Sequence, residues 1–185
     1  MLSIVGYTNA GKSTLLRALT KTDVIIKDKM FATLDPTSRR LRFPREREVI
    51  ITDTVGFIRD LPEDLVAAFQ ATLEELVDAD LLLHVVDVAT PEPERRIAAV
   101  REVLDQIGID DTLELMVFNQ IDRVKNGTAN AMIARYGGIA ISALTGAGLS
   151  ELVVHADELL RVDKTFRIDA VGEPRLATEL TPKGI

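Results

Sequence analysis

Short apolar runs punctuate the chain: "LSIVG" (2–6), "EVIITD" (48–53), "DLLLHVVD" (80–87), "LELMVFN" (113–119) and "GIAISA" (138–143). Between them lie longer stretches of helical period. That rhythm predicts a mostly parallel sheet covered by helices on both faces. "DLLLHVVD" is apolar at both alternating sets of positions, as a central strand should be. In "PEPERRIAAVREVLDQIG" (91–108), Ile97, Val100, Val103, Leu104 and Ile107 recur at helical spacing, with prolines at the start and Gly108 at the end. This predicts an amphipathic surface helix. "PEDLVAAFQATLEELVDAD" (62–80) carries Leu65, Phe69, Leu73 and Leu76 on one helical face, read as core packing. "SRRLRFPREREVIITD" (38–53) reads as a hairpin turning near Pro44, which adds one antiparallel strand at the sheet edge. After about Arg161 the pattern fades. The expected organisation is one domain over 1–162, followed by an appendage over 163–185 holding at most a short strand and a turn.

Composition narrows the chemistry. A chain of 185 residues can bury one full α/β core, and an apolar content of 46% suits a folded globule. With no cysteine, a disulfide framework, a thiolate zinc site and a thiol nucleophile are excluded. No basic segment precedes an apolar run at the N-terminus, and no apolar run approaches the roughly 20 residues of a membrane span. The expectation is a soluble, cytoplasmic protein without a membrane partner. Lys and Arg number 22 against 29 Asp and Glu, a net charge of -7. Such a surface repels a polyanion taken as a whole, so no DNA partner is expected and any nucleic-acid contact must be local.

"GYTNAGKST" satisfies G-x-x-x-x-G-K-[ST] between a predicted strand and a predicted helix. Gly6 and Gly11 let the backbone of Tyr7, Thr8, Asn9 and Ala10 curl so that amides point inward at phosphates, where the following helix adds its positive end. Lys12 is then expected to reach the β- and γ-phosphates. The hydroxyl of Ser13, next to Thr14, is expected to ligate Mg²⁺. The fold class that follows is an α/β, P-loop NTPase three-layer sandwich.

A phosphate loop does not choose between ATP and GTP. In "FNQID", Asn119, Gln120, Ile121 and Asp122 end a predicted strand. An ionised Asp122 only accepts, so it matches the adjacent N1–H and 2-amino donors of guanine, whereas adenine would leave it unpaired at a loss of about 1–3 kcal/mol. Asn119 is expected to brace the phosphate loop and the base. The Ser142-Ala143-Leu144 turn is placed to offer a backbone amide to guanine O6. "DTVG" adds Asp53, Thr54, Val55 and Gly56, spaced to put a carboxylate near a phosphate-bound magnesium and a glycine amide near the terminal phosphate. The next residue is Phe57, where many GTP hydrolases keep a glutamine that orients the attacking water.

With these motifs in order, the sequence resembles the HflX family of translation-factor-related GTPases. The resemblance is carried by "GYTNAGKSTL", "FATLDPTSRRL", "DTVGFIRDLP", "LVAAFQATLEE" and "DADLLLHVVD", and covers roughly residues 1–162. It implies a GTPase domain of a larger protein that binds GTP and GDP, engages the large ribosomal subunit and separates or rescues stalled ribosomes. It also implies that Phe57 is normal here, a hydrophobic residue in place of the glutamine. Positioning water and neutralising phosphate charge can then fall to other groups. Within Phe31, Ala32, Thr33, Leu34 and Asp35, Thr33 is the choice for a hydroxyl on Mg²⁺ and a carbonyl holding water, with Thr37 the runner-up. Asp53 would hold Mg²⁺ through a water, the Gly56 amide would sense the γ-phosphate, and Phe57 would gate or simply pack with Ile58 and Leu61. Asn9 matches the loop of potassium-activated GTPases, which implies a K⁺ site; the plainer alternative is that Asn9 only shapes the loop. Gln120 departs from the lysine usual in the base motif, so weaker nucleotide binding with guanine choice retained is expected. A competing class is a nucleotide-gated binding module with negligible hydrolysis.

Two features are set aside. The arginine run Arg39, Arg40, Arg42, Arg45 and Arg47 reads as a solvated hairpin or as a contact for ribosomal RNA phosphates. His84 reads as a core histidine, and neither it nor His155 sits at metal-ligand spacing.

Overall fold

The computed structural model describes residues 1–21, 38–42, 48–53, 76, 78–109, 112–125 and 127–169. In chain order the elements are β1 (Leu2–Val5), α1 (Lys12–Lys21), β2 (Ser38–Arg42), β3 (Glu48–Asp53), β4 (Leu81–Asp87), α2 (Pro93–Gln106), β5 (Glu114–Asn119), a 3-10 turn (Ile121–Arg123), α3 (Thr128–Tyr136), β6 (Ile139–Ala140) and α4 (Leu149–Asp169). The strands form one sheet in the order β2-β3-β1-β4-β5-β6. β1, β3, β4, β5 and β6 run parallel. β2 lies antiparallel on β3 with Arg40 opposite Ile50, the antiparallel edge strand expected from the sequence, while the turn expected near Pro44 lies outside the described residues.

Every residue of β4 is buried, because the strand sits between β1 and β5 and helices cover both of its faces. On one side Leu2, Ile4, Leu83, Val85 and Val117 pack under Leu15 and Leu19 of α1 and Leu152, Ala156 and Leu160 of α4. On the other, Val5 and Leu82 meet Val100 and Leu104 of α2 together with Leu76. Val86, Met116 and Phe118 meet Ile97 of α2 and Met132 of α3. Three layers result, and their order places the C-terminal ends of β1, β4 and β5 side by side. In open parallel sheets that edge is where ligand crevices form.

The surface helix predicted over 91–108 is α2, with Ile97, Val100 and Leu104 buried and proline at its start. Its end follows from Gly108. At φ +72 the residue takes the left-handed turn, the Gly108 N–H donates to the Asp105 carbonyl, and the Ile109 N–H donates to the Leu104 carbonyl. Ile109 then packs on Leu104, which completes a Schellman stop.

One expectation is corrected. The sequence predicts at most strand and turn after Arg161, but α4 continues unbroken to Asp169. Its buried stripe runs through Leu149, Leu152, Ala156 and Leu160, and helical spacing would call for apolar residues near 163, 164 and 167. Asp163, Lys164 and Arg167 stand there instead. The apolar period that marks a helix in sequence is broken at those positions, so the pattern carries no trace of its last turns. Of the apolar face expected over 62–80, Leu76 is buried, while Leu65, Phe69 and Leu73 lie outside the described residues. No described helix is long and apolar enough to cross a membrane.

Candidate functional site

β1 ends at Val5, and the chain turns at once into the loop. Gly6 has φ +148, and a Cβ there would lie 2.3 Å from the Val85 carbonyl oxygen. Gly11 has φ +93, and a Cβ there would lie 2.4 Å from Asn119 Nδ2. Each glycine is therefore required twice, by backbone conformation and by close approach. Asn9 between them adopts φ +63, a left-handed conformation that asparagine tolerates better than most residues. α1 begins at Lys12, so its first amides face the loop's interior. Lys12 is buried, and its ammonium donates to the Gly6 and Tyr7 carbonyls at 3.0 and 3.1 Å. Ser13 and Thr14 follow with exposed side chains on the wall of the same cleft.

Across the sheet edge, β5 delivers Asn119, which is 2% exposed. Its Nδ2 donates to the Ala10 carbonyl at 2.9 Å, and its Oδ1 accepts the Ala143 N–H at 3.0 Å. The expected brace is thus present between the phosphate loop and the Ser142-Ala143-Leu144 turn. Ser142 is fully buried; its hydroxyl donates to Asp122 Oδ1 at 2.6 Å while accepting the Thr145 N–H at 3.1 Å. This fixes the orientation of the Asp122 carboxylate and leaves Oδ2 without a bond from Ser142. An acceptor pair so held matches a planar edge with two adjacent donors.

The cleft between these walls has a volume of about 460 Å³ and is lined by Asn9, Gly11, Lys12, Ser13, Thr14, Asn119, Gln120, Asp122, Arg123, Ala143 and Leu144. That size suits a small organic ligand. Most residues predicted from "GYTNAGKST", "FNQID" and "SAL" therefore converge on one cavity. Gly6, Tyr7, Thr8 and Ala10 shape the loop from behind, and Ile121 packs toward Val86, Phe118 and their neighbours. Asp53 closes β3 in register with Ile4, next to where β1 enters the loop. Phe31, Ala32, Thr33, Leu34, Asp35 and Thr37, and Thr54, Val55, Gly56 and Phe57, lie outside the described residues. So do the side chains of the arginine run.

The donors that are present suit a hard cation. Ser13 at the start of α1 carries an exposed hydroxyl, an oxygen ligand of the kind Mg²⁺ takes, and Asp53 stands at the end of the nearby strand β3. Among the described residues no group of three or more His, Cys, Asp or Glu side chains could hold a metal ion.

Arg123 was missed. It follows Asp122 directly, lines the cleft and lies 3.7 Å from Asp87. Its signal in the sequence was a cation three residues after a glutamine where a lysine is usual. His84, expected in the core, is buried and bonded through Nδ1 to Glu114 Oε1 at 2.6 Å, and Glu114 also accepts from Arg101 at 2.7 Å. Burial pushes the Glu114 carboxyl up, but the hydrogen bonds and charges of His84 and Arg101 outweigh it and hold the pKa down to about 2. This group sits at the far end of β5 from Asn119 and serves the fold.

Comparison with known proteins agrees with the geometry. The family of 50S ribosome-binding GTPases matches over residues 1–120. A GTPase HflX of Lacrimispora saccharolytica is 46% identical over 164 residues, 89% of this chain and 39% of that protein. The GTPase HflX of Escherichia coli is 46% identical over 158 residues, 82% of this chain and 36% of that protein. The chain thus spans well under half the length of these relatives. Among solved structures, a GTP-binding protein from the archaeon Sulfolobus solfataricus in complex with GDP superposes with a TM-score of 0.71 at 28% identity, covering 86% of this chain and 52% of that one.

Proposed function

Because this chain belongs to the family of 50S ribosome-binding GTPases and is a GTPase domain of the HflX kind, we propose that it binds Mg²⁺–GTP, hydrolyses it slowly and acts as the switch of a larger, cytoplasmic protein that engages the large ribosomal subunit. The observation that carries this reading is the pair of hydrogen bonds by which Asn119 donates to the Ala10 carbonyl and accepts from the Ala143 N–H. They hold a phosphate loop and a guanine-matching carboxylate at one fixed separation across a single cleft. Residues 1–162 form the switch and 163–185 its appendage, joined through α4.

In this reading the loop amides and Lys12 hold the phosphates, and Lys12 exchanges its bonds to the Gly6 and Tyr7 carbonyls for phosphate oxygens. Ser13 and Thr33 would hold Mg²⁺ directly and Asp53 through a water, and the ion would neutralise phosphate charge. Asp122 accepts from guanine N1–H and the 2-amino group, and the Ala143–Leu144 turn donates to O6. Gly56 senses the γ-phosphate, and Thr33 positions water with no help from Phe57. Turnover then awaits an external group, K⁺ at Asn9 or the ribosome.

The test is single-turnover GTP hydrolysis by the purified chain in KCl and in NaCl, with and without large ribosomal subunits, and with ATP as control. Slow hydrolysis accelerated by K⁺ or by the subunits, with ATP inert, is the expected result. Rapid turnover in sodium without a partner overturns the waiting-switch reading. GTP that binds and stays intact under every condition leaves the nucleotide-gated binding module, the class that Phe57 favours.

A further inference from the structure

Gln120 occupies a place where the family resemblance leads one to expect a lysine, and the structure supplies a compensating arrangement. Gln120 sits at φ +68, turned over the loop. Its Nε2 donates to the Asn9 carbonyl at 3.1 Å, and its Oε1 accepts from Arg123 Nη1. The two ends of the amide are told apart by chemistry: a guanidinium donates only, so the amide oxygen must face Arg123, and the amide nitrogen is left for the carbonyl. Arg123 is in turn drawn toward Asp87 at the end of β4, at 3.7 Å. A chain of contacts runs from β4 through Arg123 and Gln120 to the fourth residue of the phosphate loop.

We propose that Arg123 is a positioning residue for guanine-nucleotide binding, an inference that rests on the function proposed above. By holding the Gln120 amide oxygen it locks the amide nitrogen onto the Asn9 carbonyl, so that the two side chains together do the work of one lysine. A lysine would reach that carbonyl with a single ammonium that needs no further orientation. A glutamine has a two-ended amide and free rotamers, and without Arg123 it turns away and leaves its stem off the base plane. Arg123 also returns to this corner of the cleft the positive charge that glutamine lacks. The nucleotide weakening expected from Gln120 alone is thereby offset.

The coupling has a sign that experiment can read. Binding of a fluorescent GDP is titrated for the unmodified chain, Arg123→Ala, Arg123→Lys, Gln120→Lys and the double variant Gln120→Lys/Arg123→Ala, with melting curves confirming the fold. Arg123→Met, which keeps the stem and loses the donors, stands in should the alanine variant melt early. Arg123→Ala is expected to weaken GDP binding about three- to tenfold, the range for an exposed charge-assisted bond. Arg123→Lys recovers part of the loss. With lysine at 120 the penalty of Arg123→Ala disappears or reverses, because the guanidinium then faces an ammonium. An equal loss in both backgrounds, or none in the Gln120 chain, overturns the proposal. An unmodified, folded chain that binds no guanine nucleotide overturns the proposed function, and this inference with it.

Discussion

Asn119 holds the Ala10 carbonyl at 2.9 Å from a site 2% exposed to solvent, and the same side chain takes the Ala143 N–H. Replacing it with alanine strands a buried carbonyl and a buried amide together. Asn119→Ala should cost about 2 kcal/mol of stability by the usual penalty for unpaired buried groups, read as a lower urea midpoint. It should also lower GDP affinity by roughly tenfold or more, since both cleft walls lose their common anchor. Unchanged affinity would mean that other contacts set the separation.

Gly11 faces the same side chain from the loop. A methyl group there would lie 2.4 Å from Asn119 Nδ2 at a backbone φ of +93. Gly11→Ala therefore strains the loop and pushes the brace aside at once. Nucleotide binding should fall at least as far as in Asn119→Ala. The double variant should be less than additive, because the two changes break one contact. Full additivity in a binding titration would show that Gly11 and Asn119 act separately.

The sheet, its antiparallel edge strand and the helix α2 were legible because each leaves a periodic trace: unbroken apolar residues in β4, a 3.6-residue stripe in α2, glycine at its stop. The walls of the cleft were legible because Gly6, Gly11, Lys12, Asn119 and Asp122 stand at fixed spacing around strand ends. What the sequence hid were long-range pairings between polar groups. Nothing in local pattern says that Glu114 meets His84 and Arg101, or that Gln120 meets Asn9. The last turns of α4 were hidden because Asp163, Lys164 and Arg167 break the apolar period that announces a helix.

Asp122 offers a test of ligand choice that leaves the phosphate wall intact. Its carboxylate, oriented by Ser142, presents two acceptors to two donors. Asp122→Asn presents one donor and one acceptor, which clashes with the guanine 2-amino group but matches xanthine, where an oxygen stands in that place. GDP affinity should fall by about tenfold to a hundredfold while xanthosine diphosphate gains. Competition between the two against a fluorescent nucleotide reads the switch. Loss of both would mean that Asp122 serves the fold and not the base.

Glu114 gives the fold an acid limit. Its carboxyl is held down to about 2 from an ordinary 4.5 by His84 and Arg101. A carboxylate whose folded pKa lies below its unfolded one contributes fully above the unfolded value and loses that contribution as pH falls through the folded one. The group thus stabilises the protein at neutral pH, and the benefit fades from about pH 4.5 toward about pH 2. Allowing for its partial exposure and the screening that follows, the contribution is on the order of 1–2 kcal/mol. Glu114→Gln should lower the urea midpoint at pH 7 and flatten the fall in stability between pH 4.5 and pH 2. GTP binding at pH 7 should survive, because the His84–Glu114 pair lies at the opposite end of β5 from Asn119. A variant that kept the full acid slope would place its source in other carboxylates.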